Sequence, residues 1–116
     1  MNILVLAYLG DAVFELYVRE HLINIGIAKV KDLQLESIKY VSAVSQVDIL
    51  NKLIEDGILK DEEIEIVKRG RNAHSHQSKS TDIVTYKKAT GFEALIGYLY
   101  LNDRKRLEQL LKEALK

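Results

Sequence analysis

Apolar residues in this chain recur every three or four positions, and no two-residue alternation outweighs that rhythm. The first run, "ILVLAYLGDAVFELYV", predicts a helix from Ile3 to His21 that is apolar on most sides. Such breadth predicts burial against more than one layer, a second subunit among them. No capping residue stands out before Ile3, so the helix reads as starting abruptly, as if the natural chain began earlier. Gly26 marks a turn. A short helix at Val30 to Leu33 is expected next, then a longer one from Leu35 to Glu55 carried by Ile38, Val41, Val44, Val47 and Leu50. Gly57 is its expected left-handed stop.

The stretch "KDEEIEIVKRGRN" opens another helix. Asp61 is its expected cap, Glu62 and Glu63 complement its positive end, and Lys68 and Arg69 its negative end before Gly70. "NAHSHQSKST" then reads as an exposed polar loop. Thr81 or Asp82 starts a helix reaching Leu101, Asn102-Asp103 turns the chain, and "RKRLEQLLKEALK" forms a short amphipathic terminal helix. The expectation is an all-α fold, with residues 1–116 as a single domain around one core.

Composition narrows the class. A chain 47% apolar and 29% charged is globular rather than disordered. Absence of cysteine excludes disulfides and thiolate metal sites and fits a reducing cytoplasm. The apolar start lacks a basic flank, and Asp11 and Glu15 interrupt it, so it reads as neither signal peptide nor membrane span. Seventeen basic and seventeen acidic residues cancel, but unevenly. Residues 68–88 hold Lys68, Arg69, Arg71, Lys79, Lys87 and Lys88 against Asp82 alone, a net +5 that leaves −5 elsewhere. A basic segment on an acidic body can attract phosphate selectively.

Several residues look misplaced. Gly10, Gly91 and Gly97 lie inside helical patterns, where each is about 1 kcal/mol less favourable than alanine. Close helix packing accounts for Gly97. The other two lie near carboxylates in apolar surroundings: Asp11 beside Gly10, and Glu93 two after Gly91. Such a carboxylate must find a donor, take up a proton or bind a cation. Two of them on separate helices suit Mg²⁺, which takes oxygen ligands and keeps several waters. Glu15 precedes Arg19 by four residues and reads as its ion-pair partner. His74 and His76 form an H-x-H pair without further ligands and read as surface or RNA contacts; His21 suits its helix C-terminus. No phosphate-binding glycine loop, Ser/His/Asp order or zinc motif is present.

"LAYLGDAVFELYV" resembles the signature helix of the ribonuclease III catalytic domain, and "TGFEALIGYLYL" resembles its second acidic motif. With "YVSAVSQ" and "KRGRNAHS", the chain from Leu4 to Leu101 is similar to the short Mini-ribonuclease III branch, which lacks a double-stranded-RNA-binding domain. The resemblance implies an all-helical homodimer whose signature helices meet at a two-fold axis, with Tyr8, Val13 and Tyr17 covering the partner. It implies Asp11 and Glu93 as catalytic residues and ligands of Mg²⁺, with Mn²⁺ able to substitute. The implied reaction is hydrolysis of double-stranded RNA to 5′-phosphate and 3′-hydroxyl ends, in cytoplasmic maturation of large-subunit (23S) ribosomal RNA precursor. Longer members carry a glutamate where this chain has Ala7 and an aspartate where it has Thr90. One Mg²⁺ per subunit, completed by water and phosphate, is therefore expected.

Without an accessory domain, the catalytic dimer must grip A-form RNA through phosphates and 2′-hydroxyls. Arg69, Arg71, Asn72, His74, Ser78, Lys79, Ser80, Lys87 and Lys88 are suited to this, joined by Ser42 and Gln46 one turn apart on the middle helix. A ribosomal protein that presents the substrate is a further partner consistent with so small an enzyme. The competing class is a non-catalytic RNA-binding or ribosome-associated dimer of the same fold, favoured by the two missing acids. A helical protein-interaction module leaves the two acidic motifs unexplained.

Overall fold

A computed structural model describes residues 1–73 and 82–116. Its described residues form six helices and no strand: α1 (Ile3–Asn24), α2 (Val30–Val41), α3 (Ala43–Glu55), α4 (Asp61–Asn72), α5 (Ile83–Asn102) and α6 (Arg104–Ala114). The helix α5 is the axis of the fold, and α1, α3, α4 and α6 all pack against it. Between Ala89 and Leu99 it buries residues on every side, as a helix without a polar face must.

Helix ends follow local chemistry, and several differ from the pattern-based expectation. Asn2 caps α1 by accepting from the Leu4 N–H at 2.8 Å, so that helix does not start uncapped. In α4 the Lys60 N–H donates to Glu63 Oε1 at 2.9 Å, making Lys60 the cap and Asp61 the first helical residue. That helix continues through Gly70 to Asn72. The largest departure is Ser42, which splits the expected 35–55 helix. Its backbone is extended at φ −63° and ψ 154°, and its Oγ accepts from the Ser45 N–H, capping α3. Upstream, α2 is one helix rather than a short piece and the start of a long one. Gly26 and Gly57 end α1 and α3 at positive φ, with the following Ile27 and Ile58 amides donating back to Leu22 and Leu53.

A single apolar cluster joins α1, α3, α4, α5 and α6, with Phe14 and Phe92 edge to face at 5.2 Å. One buried ion pair fastens α6 to α4: Arg106 donates to both oxygens of Glu63 at 2.8 Å and to the Ile58 carbonyl at 2.6 Å. Burial works to raise the Glu63 carboxyl, but hydrogen bonds from Arg106 and the Lys60 amide outweigh it and hold the group below its ordinary value. Among the described residues no helix is long and apolar enough to cross a membrane.

Candidate active site

Glycine is what lets α1 and α5 approach closely enough to matter. A Cβ on Gly10 would overlap the Glu93 carbonyl and lie 2.8 Å from the Gly97 nitrogen; one on Gly97 would overlap the Leu6 carbonyl. The two backbones therefore touch at Gly10 and Gly97, and each loss of helix propensity is exchanged for close packing. Gly10 adjoins Asp11 and lies against the backbone of Glu93 itself, so the same contact brings the two acids side by side.

Asp11 is exposed, whereas Glu93 is half-buried beneath it. The Glu93 carboxyl is pushed up to about 8, first by burial, then by its hydrogen bond to Asp11 and by the Asp11 charge. A hydrogen bond from Gln46 acts in the opposite direction. Both side chains offer hard oxygen donors, and the neighbouring Gln46 Oε1 is buried without a partner. That donor set fits Mg²⁺. Among the described residues no cluster of three His, Cys, Asp or Glu side chains exists. Ala7 is buried in the core, and Thr90 Oγ donates back to the Tyr86 carbonyl at 3.0 Å.

Gln46 requires a correction. Expected on the surface as an RNA contact, it is only 2% exposed. Its Nε2 donates to the Val41 carbonyl at 3.1 Å and toward Glu93 Oε2 at 3.4 Å. The signal in the residue pattern is its spacing: Gln46 shares the inward face of α3 with Leu50 and Leu53, four and seven residues on. Ser42 is half-buried and committed to capping α3, with its own O–H donating to Ser45 Oγ at 2.8 Å.

The basic residues lie apart from the acids. Gly70 packs on Gly91, where a Cβ would come 2.8 Å from the Gly91 Cα, and a Cβ on Gly91 would lie 3.3 Å from the Arg71 nitrogen. Gly91 is roughly 120° around α5 from Gly97, which faces α1. The last turn of α4, with Arg69, Arg71 and Asn72, thus packs at a different side of α5 from Gly10. Arg69, Asn72 and Lys87 are exposed, Arg71 and Lys88 half-buried, and Arg71 Nε donates to Asn72 Oδ1 at 3.3 Å. Among the described residues none of these four cations forms an ion pair. His74, His76, Ser78, Lys79 and Ser80 lie outside the described residues.

On α1, Tyr8 is 84% exposed, in an outward stripe with Val5, Leu16 and Ile23. Tyr17 is half-buried and packs against the core. Val13, expected to cover a partner, is 5% exposed and belongs to the chain's own core, because it shares the inward face with Gly10 and Phe14. Glu15 accepts from Arg19 at 2.8 Å as expected, and His21 meets the Tyr40 ring edge to face.

The family model described as "Ribonuclease III domain" matches residues 4–104. A Mini-ribonuclease 3 of Streptococcus pneumoniae is 45% identical over 113 residues, 96% of this chain and 88% of that protein. A Mini-ribonuclease 3 of Staphylococcus aureus is 49% identical over 115 residues, 97% of this chain and 86% of that protein. The crystal structure of a Fusobacterium nucleatum protein superposes with a TM-score of 0.84 at 32% identity, covering 97% of this chain and 91% of that one.

Proposed function

The chain belongs to the ribonuclease III family, as an endoribonuclease of the Mini-ribonuclease 3 kind, and from that premise we propose that it is a Mg²⁺-dependent homodimer that cuts double-stranded RNA at Asp11 and Glu93. The observation that carries this reading is the contact between two acids 82 positions apart, one of them held at about 8. A cation between carboxylates crowded in this way favours their ionised form. A bound magnesium ion supplies a more acidic water and a counter-charge for the scissile phosphate.

The chain's own residues do the rest. Asp11, open to solvent, presents its oxygens toward an incoming strand. Asp11 and Glu93 would hold the ion, Glu93 through its ionised carboxylate as the second anchor. Water oxygen bonds to phosphorus and gives up a proton to solvent, the bond from phosphorus to the 3′ oxygen breaks, and that oxygen takes a proton from solvent. The products are a 5′-phosphate and a 3′-hydroxyl. Arg69, Arg71, Lys87 and Lys88, without acidic partners among the described residues, are available to phosphates flanking the cut.

The exposed stripe of α1 supports pairing with a second copy, Tyr8 being its most exposed member. Two-fold symmetry then sets one acid pair over each strand of a duplex. The substrate proposed is precursor of large-subunit ribosomal RNA, processed in the cytoplasm. The test is cleavage of a structured precursor RNA with Mg²⁺, beside an EDTA control and Asp11→Asn protein. Cuts that need the metal and vanish in the variant support the assignment. Equal cutting by the variant removes Asp11 from the chemistry.

A further inference from the structure

Gln46 has one hydrogen-bonding atom that the protein leaves unanswered. The side chain is 2% exposed, on the first turns of α3. Its Nε2 is used twice, toward the Val41 carbonyl at 3.1 Å and Glu93 Oε2 at 3.4 Å. Its Oε1 is buried and is the unpartnered side-chain atom among the described residues. Buried polar atoms are rarely left so, since each costs its full desolvation. Turning the amide over does not resolve this, because an oxygen would then face both the Val41 carbonyl and the Glu93 carboxylate.

We propose that Gln46 is a positioning residue of the Asp11–Glu93 cation site, its Nε2 fixing the Glu93 carboxylate and its Oε1 accepting from a water in the ion's shell. Oε1 and Nε2 belong to one planar amide, so the unanswered acceptor is held close to the carboxylate that Nε2 reaches. A divalent ion anchored by only two carboxylates keeps several waters. Each is a strong donor, and one on the Gln46 side of the site needs an acceptor from the protein. Groups that orient a ligand in this way typically change metal affinity about 10–100-fold. The Val41 contact explains how the amide is aimed. Val41 ends α2, its carbonyl lacks a helical donor because Ser42 breaks the chain direction, and Gln46 supplies one. The same break that caps α3 therefore directs the amide toward Glu93.

The inference rests on the metal-site reading above, and one experiment separates the two. Mn²⁺ binding is measured by electron paramagnetic resonance on wild-type protein, Gln46→Met, Asp11→Asn and Glu93→Gln, with thermal unfolding in EDTA recorded for each. Methionine fills a similar volume without donor or acceptor. The expected result is a folded Gln46→Met protein that binds Mn²⁺ about 10–100-fold more weakly. Its cleavage should need correspondingly more Mg²⁺, with an unchanged KM for RNA at saturating metal. A folded Gln46→Met protein with wild-type Mn²⁺ affinity overturns the role of Gln46 while leaving the acid pair intact. Unchanged affinity in Asp11→Asn and Glu93→Gln overturns the metal site itself. Gln46→Leu provides a second variant; failure of both to fold assigns Gln46 to capping α2 alone and overturns the proposal.

Discussion

Replacing Glu93 with glutamine should make the metal-free protein more stable while destroying its metal site. In the folded chain the Glu93 carboxyl is pushed from 4.5 up to about 8 by burial and by Asp11. Between those values the folded state keeps a proton that the unfolded state releases, so rising pH favours unfolding. The stabilisation is complete below about pH 4.5 and is lost as pH climbs toward 8, by about 1.4 kcal/mol per pH unit. At pH 7 the loss reaches up to about 3 kcal/mol, roughly 10 °C in Tm for a domain of this size. The introduced glutamine is neutral throughout; its amide can donate to Asp11 while its oxygen accepts from Gln46. Urea unfolding in EDTA from pH 5 to 8 should show a falling curve for the wild type and a flatter one for Glu93→Gln, diverging with pH. Added Mg²⁺ should raise the wild type alone, since only it binds the ion in its folded state. Parallel curves, or a variant less stable at pH 8 in EDTA, would refute the account of the acid pair.

Other consequences follow from contacts elsewhere. Gly97→Ala places a methyl on the Leu6 carbonyl and should cost about 3 kcal/mol despite better helix propensity, as read by urea unfolding. Arg106→Ala leaves Glu63 buried without its partner and should cost about 3–5 kcal/mol near neutral pH. Because the Glu63 carboxyl is held below its ordinary value, its contribution is present above that value and fades as pH falls, so wild type and Arg106→Ala should converge in acid. Arg69→Ala and Lys87→Ala should weaken duplex RNA binding and flatten its salt dependence by about one ion per removed contact. Tyr8→Glu should yield a monomer by light scattering if the exposed α1 stripe joins two copies; an unchanged dimer would move the interface elsewhere.

Sequence alone determined the helical class, because the three-to-four-residue rhythm and the short-range capping signals depend only on neighbours in the chain. Gly57 as a left-handed stop, Asp82 as a cap and Glu15 with Arg19 are all interactions within a few residues, and all were legible. So was the oddity of Asp11 and Glu93, since a carboxylate in an apolar run is anomalous in any fold. Other features depended on residues distant in sequence. Ser42 breaks a helix that periodicity would continue, since the end of α2 gains a donor from Gln46 only after the chain has turned. Val13 and Tyr8 have similar claims to an interface until packing assigns one to the core and the other to the surface. Glycine in a helix is a local penalty, and its compensation appears only when a second backbone comes into contact with it. At Gly10 that second backbone belongs to Glu93, so the contact that offsets the penalty is also the one that joins the acids.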